Sequence, residues 1–131
     1  MKPEELANAY HDKGFNCAQS VLAACCAGKC MDEGTAYAVA SCFGGGMRTG
    51  GVCGAVTGAL MAIGTAHPLG AADIAETRRI TSEKAVELQR RFEEEFGALD
   101  CRDLLAGIEP GAPRPCPRFI GAACRMALEL M

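Results

Sequence analysis

Large side chains are almost missing from this sequence, and that restricts what its core can be. Half of the 131 residues are hydrophobic, yet the chain holds only five Phe, two Tyr and no Trp. The interior must be filled by Ala, Leu, Ile, Val, Met and Cys, and side chains so small suit helices packed at close range. A chain of this length buries an ordinary core without a disulfide or metal to hold it together, so its nine cysteines need an explanation other than stability. An odd number cannot pair completely within one chain. Residues 1–6 hold two Glu and no apolar run, which is unlike an export signal. The expected compartment is the reducing cytoplasm, where clustered cysteines bind metal or carry out thiol chemistry rather than build disulfide frameworks. The formal charge of −3 and the scarcity of aromatic residues exclude the usual footprint of a nucleic-acid binder.

Helix signals follow one another along the chain with little room for strands. Pro3 suits a first helical position and Gly14 a helix stop. Asn16 reads as the N-cap of a helix over residues 17–27. A short helix is expected over 34–42, then a glycine-rich loop over 43–51 whose glycines allow positive φ. Residues 49–72 carry no Asp, Glu, Lys or Arg. They are broken by Gly54, Gly58, Gly64 and Pro68, and the central apolar stretch, 52–66, is shorter than the roughly 20 residues of a bilayer span. It reads as a buried helix, with no membrane span. From 73 to 96, Ile74, Ile80, Leu88, Phe92 and Phe96 recur on one face of an amphipathic helix, with Glu87–Arg91 and Arg90–Glu94 spaced to pair on the solvated face. Gly97 ends that helix. Asp100 and Asp103 begin a short one, residues 107–115 form a loop rich in Pro and Gly, and Pro117 starts the last helix. The expectation is all-α: one domain over residues 1–131, an irregular or orthogonal bundle of about five to seven helices.

On this map four cysteines fall at the starts of four helices: Cys17, Cys53, Cys101 and Cys116. Helix starts expose unpaired N–H groups and the positive end of the macrodipole, which favour a thiolate, the species that binds metal or attacks a disulfide. Four converging ends, each worth roughly half a positive charge, offset about two negative charges. A tetrathiolate zinc site and an oxidised [2Fe–2S] tetrathiolate site both carry that charge, so the metal stays open. None of the four lies in a Cys-x-x-Cys pair, so any site is assembled by the fold from distant segments. Gly54 and Gly58, one helical turn apart beside Cys53, fit close approach of another backbone. Cys25, Cys26, Cys30, Cys42 and Cys124 read as small core hydrophobes, with Cys26 and Cys30 at i,i+4 only a weak second metal pair. His11 and His67 stand apart from any ligand-spaced cluster.

The segments Gly14-Phe15-Asn16-Cys17-Ala18, Cys53-Gly54-Ala55-Val56-Thr57-Gly58 and Cys101-Arg102-Asp103-Leu104-Leu105, followed by Cys116, resemble the C_GCAxxG_C_C family of redox-active proteins over nearly the whole chain. The resemblance assigns the family's four cysteines to Cys17, Cys53, Cys101 and Cys116. That family includes selenoproteins, and a related domain stands beside c-type haems in split-Soret cytochromes, where an iron–sulfur centre has been proposed. This chain has no Cys-x-x-Cys-His haem site. Three functions follow. The first is an electron-transfer protein whose four thiolates bind an iron–sulfur cluster, [2Fe–2S] in type, or another metal ion. The second is a metal-free thiol oxidoreductase with catalytic Cys53 as nucleophile and Cys17, Cys101 or Cys116 as resolving thiol. The third is a helical scaffold with inert cysteines. Whether the chain is an enzyme, which redox partner it serves and whether it forms a homodimer are left open by the sequence.

Overall fold

A computed structural model describes residues 1–67 and 73–131 of the chain. Among these residues there are seven α-helices and no sheet: α1 (Pro3–Asp12), α2 (Cys17–Cys26), α3 (Glu33–Ala40), α4 (Gly54–Thr65), α5 (Ile74–Phe96), α6 (Cys101–Leu104) and α7 (Cys116–Leu130). The all-α expectation holds, and most boundaries fall where cap residues put them. Asn16 accepts a hydrogen bond from the Gln19 N–H at 2.8 Å while its own N–H donates to Gln19 Oε1 at 2.9 Å, a reciprocal cap at the start of α2. Gly97 closes α5 with φ of 85°, a conformation glycine adopts without penalty. Pro68, read above as a break after the buried helix, lies outside the described residues.

The core is one cluster of small side chains, with Ala18, Val21, Leu22, Ala55, Val56, Ala59, Ile120 and Ala123 at its heart. Such a core requires close backbones, and α2 and α4 supply the closest approach. A methyl group on Gly58 would lie 2.6 Å from the Ala18 carbonyl oxygen, and one on Gly54 would meet the Cys17 Cβ at 3.1 Å. The glycine spacing beside Cys53 is therefore a packing device. Contacts from Gly54 to Cys17 at one end and from Thr65 to Cys26 at the other make α2 and α4 run in the same direction. Helix α7 runs the same way beside α2, with Cys116 against Cys17 and Cys124 against Cys25. Three long helices thus begin at one end of the molecule.

Helix α5 packs more narrowly than its periodicity implies. Leu88 and Phe92 are fully buried and Phe96 meets Phe119 edge to face, but Ile74 is 54% exposed. The ion pairs on its outer face form as expected, Arg91 to Glu87 at 2.9 Å and Arg90 to Glu94 at 2.6 Å. No helix among the described residues is long and apolar enough to cross a membrane.

Candidate functional site: a cavity walled by four cysteines

The shared end of α2, α4 and α7 opens into a cavity of about 560 Å³ lined by Cys17, Cys53, Cys101 and Cys116, with Arg48 and Arg114 among its other walls. Each cysteine arrives by a different route. Cys17 and Cys116 are the first residues of α2 and α7, and Cys101 is the first of α6. Cys53 directly precedes α4 and is buried, whereas the other three are half-buried. Cys53 and Cys101 stand at opposite ends of one antiparallel bridge between Val52 and Asp100, which two backbone hydrogen bonds close, from the Cys53 N–H to the Leu99 carbonyl at 2.8 Å and from the Cys101 N–H to the Gly51 carbonyl at 2.7 Å.

The segment that carries Gly51 leaves an unusual turn. Gly45, Gly46, Met47 and Arg48 all take left-handed backbone angles, with φ of 62°, 63°, 57° and 65°. Four such residues in succession make one turn of left-handed helix, costing roughly 1–2 kcal/mol for each residue with a Cβ. The turn closes through the Gly51 N–H to the Gly46 carbonyl at 3.0 Å, and it presents Arg48 at the cavity. Local strain of this kind gathers at functional sites. The glycines over 43–51 signalled positive φ; nothing in the sequence signalled that Met47 and Arg48 would share it.

The thiols titrate unequally. Cys116, hydrogen-bonded by the Cys17 thiol and close to the Arg114 guanidinium, is lowered to about 6 despite its partial burial. Cys17 is raised correspondingly, by that hydrogen bond to Cys116 and by burial, so the pair carries one negative charge and one proton. Burial pushes Cys53 up to about 11, against backbone N–H groups of Ala55 and Val56 that favour its thiolate. Burial and the charge on Cys116 raise Cys101, with Arg114 opposing. A helix start favours the thiolate but does not decide the balance here: desolvation is the larger effect at Cys53 and Cys101, and the hydrogen bond to Cys116 is the larger effect at Cys17. Four thiolates in one cavity require a cation or protons to balance them.

Among the described residues, no three His, Cys, Asp or Glu side chains are disposed around a single ion position. The four cysteines line one cavity instead, with the Cys17 thiol hydrogen-bonded to Cys116, and with Cys53 and Cys101 both close enough to Cys116 for its charge to raise them. Arg48, Arg114 and His11 also line the cavity; the sequence reading set His11 aside as an ordinary histidine and gave neither arginine a role in the site. Arg114, two residues before Cys116, was the only one with a positional clue. Of the remaining cysteines, Cys25, Cys26 and Cys124 are buried as expected. Cys30 and Cys42 are exposed, which corrects their reading as core residues: one follows the end of α2 and the other the end of α3, beyond the packed faces.

No curated protein and no solved structure matches the chain. Residues 15–130 match the family model described as "Putative redox-active protein (C_GCAxxG_C_C)", a span that runs from just before Cys17 to the end of α7 and takes in every wall of the cavity contributed by a cysteine. The chain belongs to the C_GCAxxG_C_C family.

Proposed function

We propose that the four-cysteine cavity is a redox centre that holds an iron–sulfur cluster of the [2Fe–2S] type, and that the protein passes electrons through it to a partner protein. The supporting observation is the convergence of four cysteines from four separate segments on one cavity. A mononuclear zinc site needs four ligands around one ion, and among the described residues no three such side chains close on one ion position. A binuclear cluster takes two cysteines at each iron and so accepts four ligands spread around a wider cavity, as Cys17, Cys53, Cys101 and Cys116 are. When bound, such a cluster supplies one-electron transfer at a potential set by charge, burial and hydrogen bonds to sulfur. The chain's own contributions are specific. Burial of Cys53 keeps water from one side, the Ala55 and Val56 N–H groups aim at its sulfur, and Arg114 offsets negative charge at Cys116 and Cys101.

Purification without air, followed by iron and acid-labile sulfide analysis, tests this. About two of each per chain are expected, with visible absorbance that Cys→Ser changes at Cys17, Cys53, Cys101 or Cys116 abolish and Cys42→Ser leaves intact. A colourless protein with all nine thiols free rejects the cluster.

A second reading, metal-free thiol exchange, is favoured by the contact between Cys17 and Cys116. In it the Cys116 thiolate attacks a substrate disulfide and releases one thiol. Cys17 then displaces the second, leaving a Cys17–Cys116 disulfide and a substrate reduced by two electrons. Cys53, the nucleophile favoured by sequence, holds its proton too firmly to compete with Cys116.

A further inference from the structure

A second pair of cysteines lies outside the cavity. The Cys25 and Cys124 sulfurs are 3.4 Å apart, although the residues are 99 positions apart in the chain, and both are fully buried between α2 and α7. The Cys25 thiol also lies 3.8 Å from the Cys124 carbonyl oxygen, so its proton has an acceptor on either atom of the same partner. The pair repeats the register of the first. Cys25 follows Cys17 by eight residues, and Cys124 follows Cys116 by eight. On parallel helices this makes two thiol rungs separated by roughly 12 Å at 1.5 Å per residue. That gap is too long for direct sulfur exchange between the rungs, so the second pair is a separate site.

We propose that Cys25 and Cys124 are a second redox couple, a buried dithiol that closes to a disulfide between α2 and α7 on reaction with a small hydroperoxide. The sulfurs already touch, and a bond of about 2.05 Å requires an approach of little more than an ångström. Access comes through the end of α2: Cys25 is in its last turn, and the residues beyond, Gly28, Lys29 and Cys30, are exposed. Terminal turns open locally at small cost, and hydrogen peroxide is scarcely larger than water. The Cys25 thiol donates toward Cys124, which leaves Cys124 as the more readily ionised sulfur. In the first step the Cys124 thiolate attacks the O–O bond. An S–O bond forms, the O–O bond breaks, and the departing alkoxide or hydroxide takes a proton. Cys25 then attacks the sulfenic sulfur, the S–S bond forms, and hydroxide leaves with the Cys25 proton as water. Two thiols and one hydroperoxide give one disulfide, one alcohol (water, for hydrogen peroxide) and one water, with two electrons passing from sulfur to oxygen.

The test uses the intact, reduced protein treated with hydrogen peroxide, alkylated, digested with trypsin and analysed by mass spectrometry. Cleavage after Lys13, Lys29, Arg118 and Arg125 gives the peptides 14–29, with Cys25, and 119–125, in which Cys124 is the only cysteine. The expected product joins these two peptides, with fragmentation placing the bond at Cys25. It persists in a Cys17→Ser/Cys116→Ser protein and disappears in Cys124→Ala. The wild-type map needs no variant to fold. If peroxide oxidises other cysteines while Cys124 remains alkylatable only after denaturation, or if Cys124 links to Cys26 instead, the proposal is overturned. None of these results depends on whether the first site holds a cluster.

Discussion

Two glycines in α4 look equivalent in sequence and are opposite in the fold. At Gly58 an added methyl would strike the Ala18 backbone at 2.6 Å from its carbonyl oxygen and 3.0 Å from its Cα, and backbone cannot rotate away. Gly58→Ala should destabilise the protein by about 1–3 kcal/mol, the usual range for overpacking. Gly64, exposed and with nothing near its missing Cβ, should respond oppositely, Gly64→Ala gaining up to about 1 kcal/mol from the stiffer unfolded chain. Thermal melts of the two variants decide it, and equal shifts would mean that the α2–α4 contact is looser than described. A second prediction at this scale concerns charge. In reduced, metal-free protein the first thiolate absorbance should appear with a midpoint near the value of about 6 of Cys116, held there first by the Cys17 thiol. Below that pH the thiolate and its reactivity toward iodoacetamide are lost. Cys17→Ala removes the donor and should move the midpoint upward; an unchanged midpoint would show that Arg114, not Cys17, sets it.

Among the elements, the left-handed turn before α4 is the one whose cost is visible. Met47 bears a Cβ in a conformation that penalises it by roughly 1 kcal/mol, so Met47→Gly should raise stability by about that amount. Gly46→Ala should do the reverse and more, because its methyl would fall onto the Gly51 backbone, whose carbonyl accepts the Cys101 N–H. Loss of cluster content along with stability in Gly46→Ala would tie the turn to the placement of Cys53 and Cys101 at the cavity. Intact cluster content in a destabilised protein would separate the two. Local signals explain what was legible here. Pro3, Asn16, Gly97 and Pro117 act within one turn of where they stand, so helix starts and stops could be read in order, and with them the four cysteines at helix starts. The rest depended on contacts between distant segments. Periodicity placed Ile74 with Phe92 on one face of α5, but it is Phe92 and Phe96, near the end of that face, that meet Phe119 of α7, and Ile74 stays exposed. The eight-residue spacing shared by the two cysteine rungs acquires meaning only once α2 and α7 are known to lie side by side.

For the whole molecule, the consequence of building one cavity from positions 17, 53, 101 and 116 is that the site exists only while the fold does. No two of these cysteines are nearer in sequence than Cys101 and Cys116, and residues 107–115 between them form an exposed loop, so no local segment retains a ligand pair once α2, α4 and α7 separate. The α2–α4 packing through Gly54 and Gly58 holds Cys17 near Cys53, and the Gly51 and Leu99 carbonyls hold Cys101 there. A ligand that binds only the folded chain stabilises it by mass action, so protein carrying the cluster should melt at a higher temperature than the same protein stripped of iron. In a urea titration without air, visible absorbance from the cluster and far-ultraviolet ellipticity from the helices should fall in one transition with one midpoint. Cluster loss well before helix loss would mean that the cavity end opens as an independent unit and that the parallel helices are held together chiefly at the Cys25–Cys124 end.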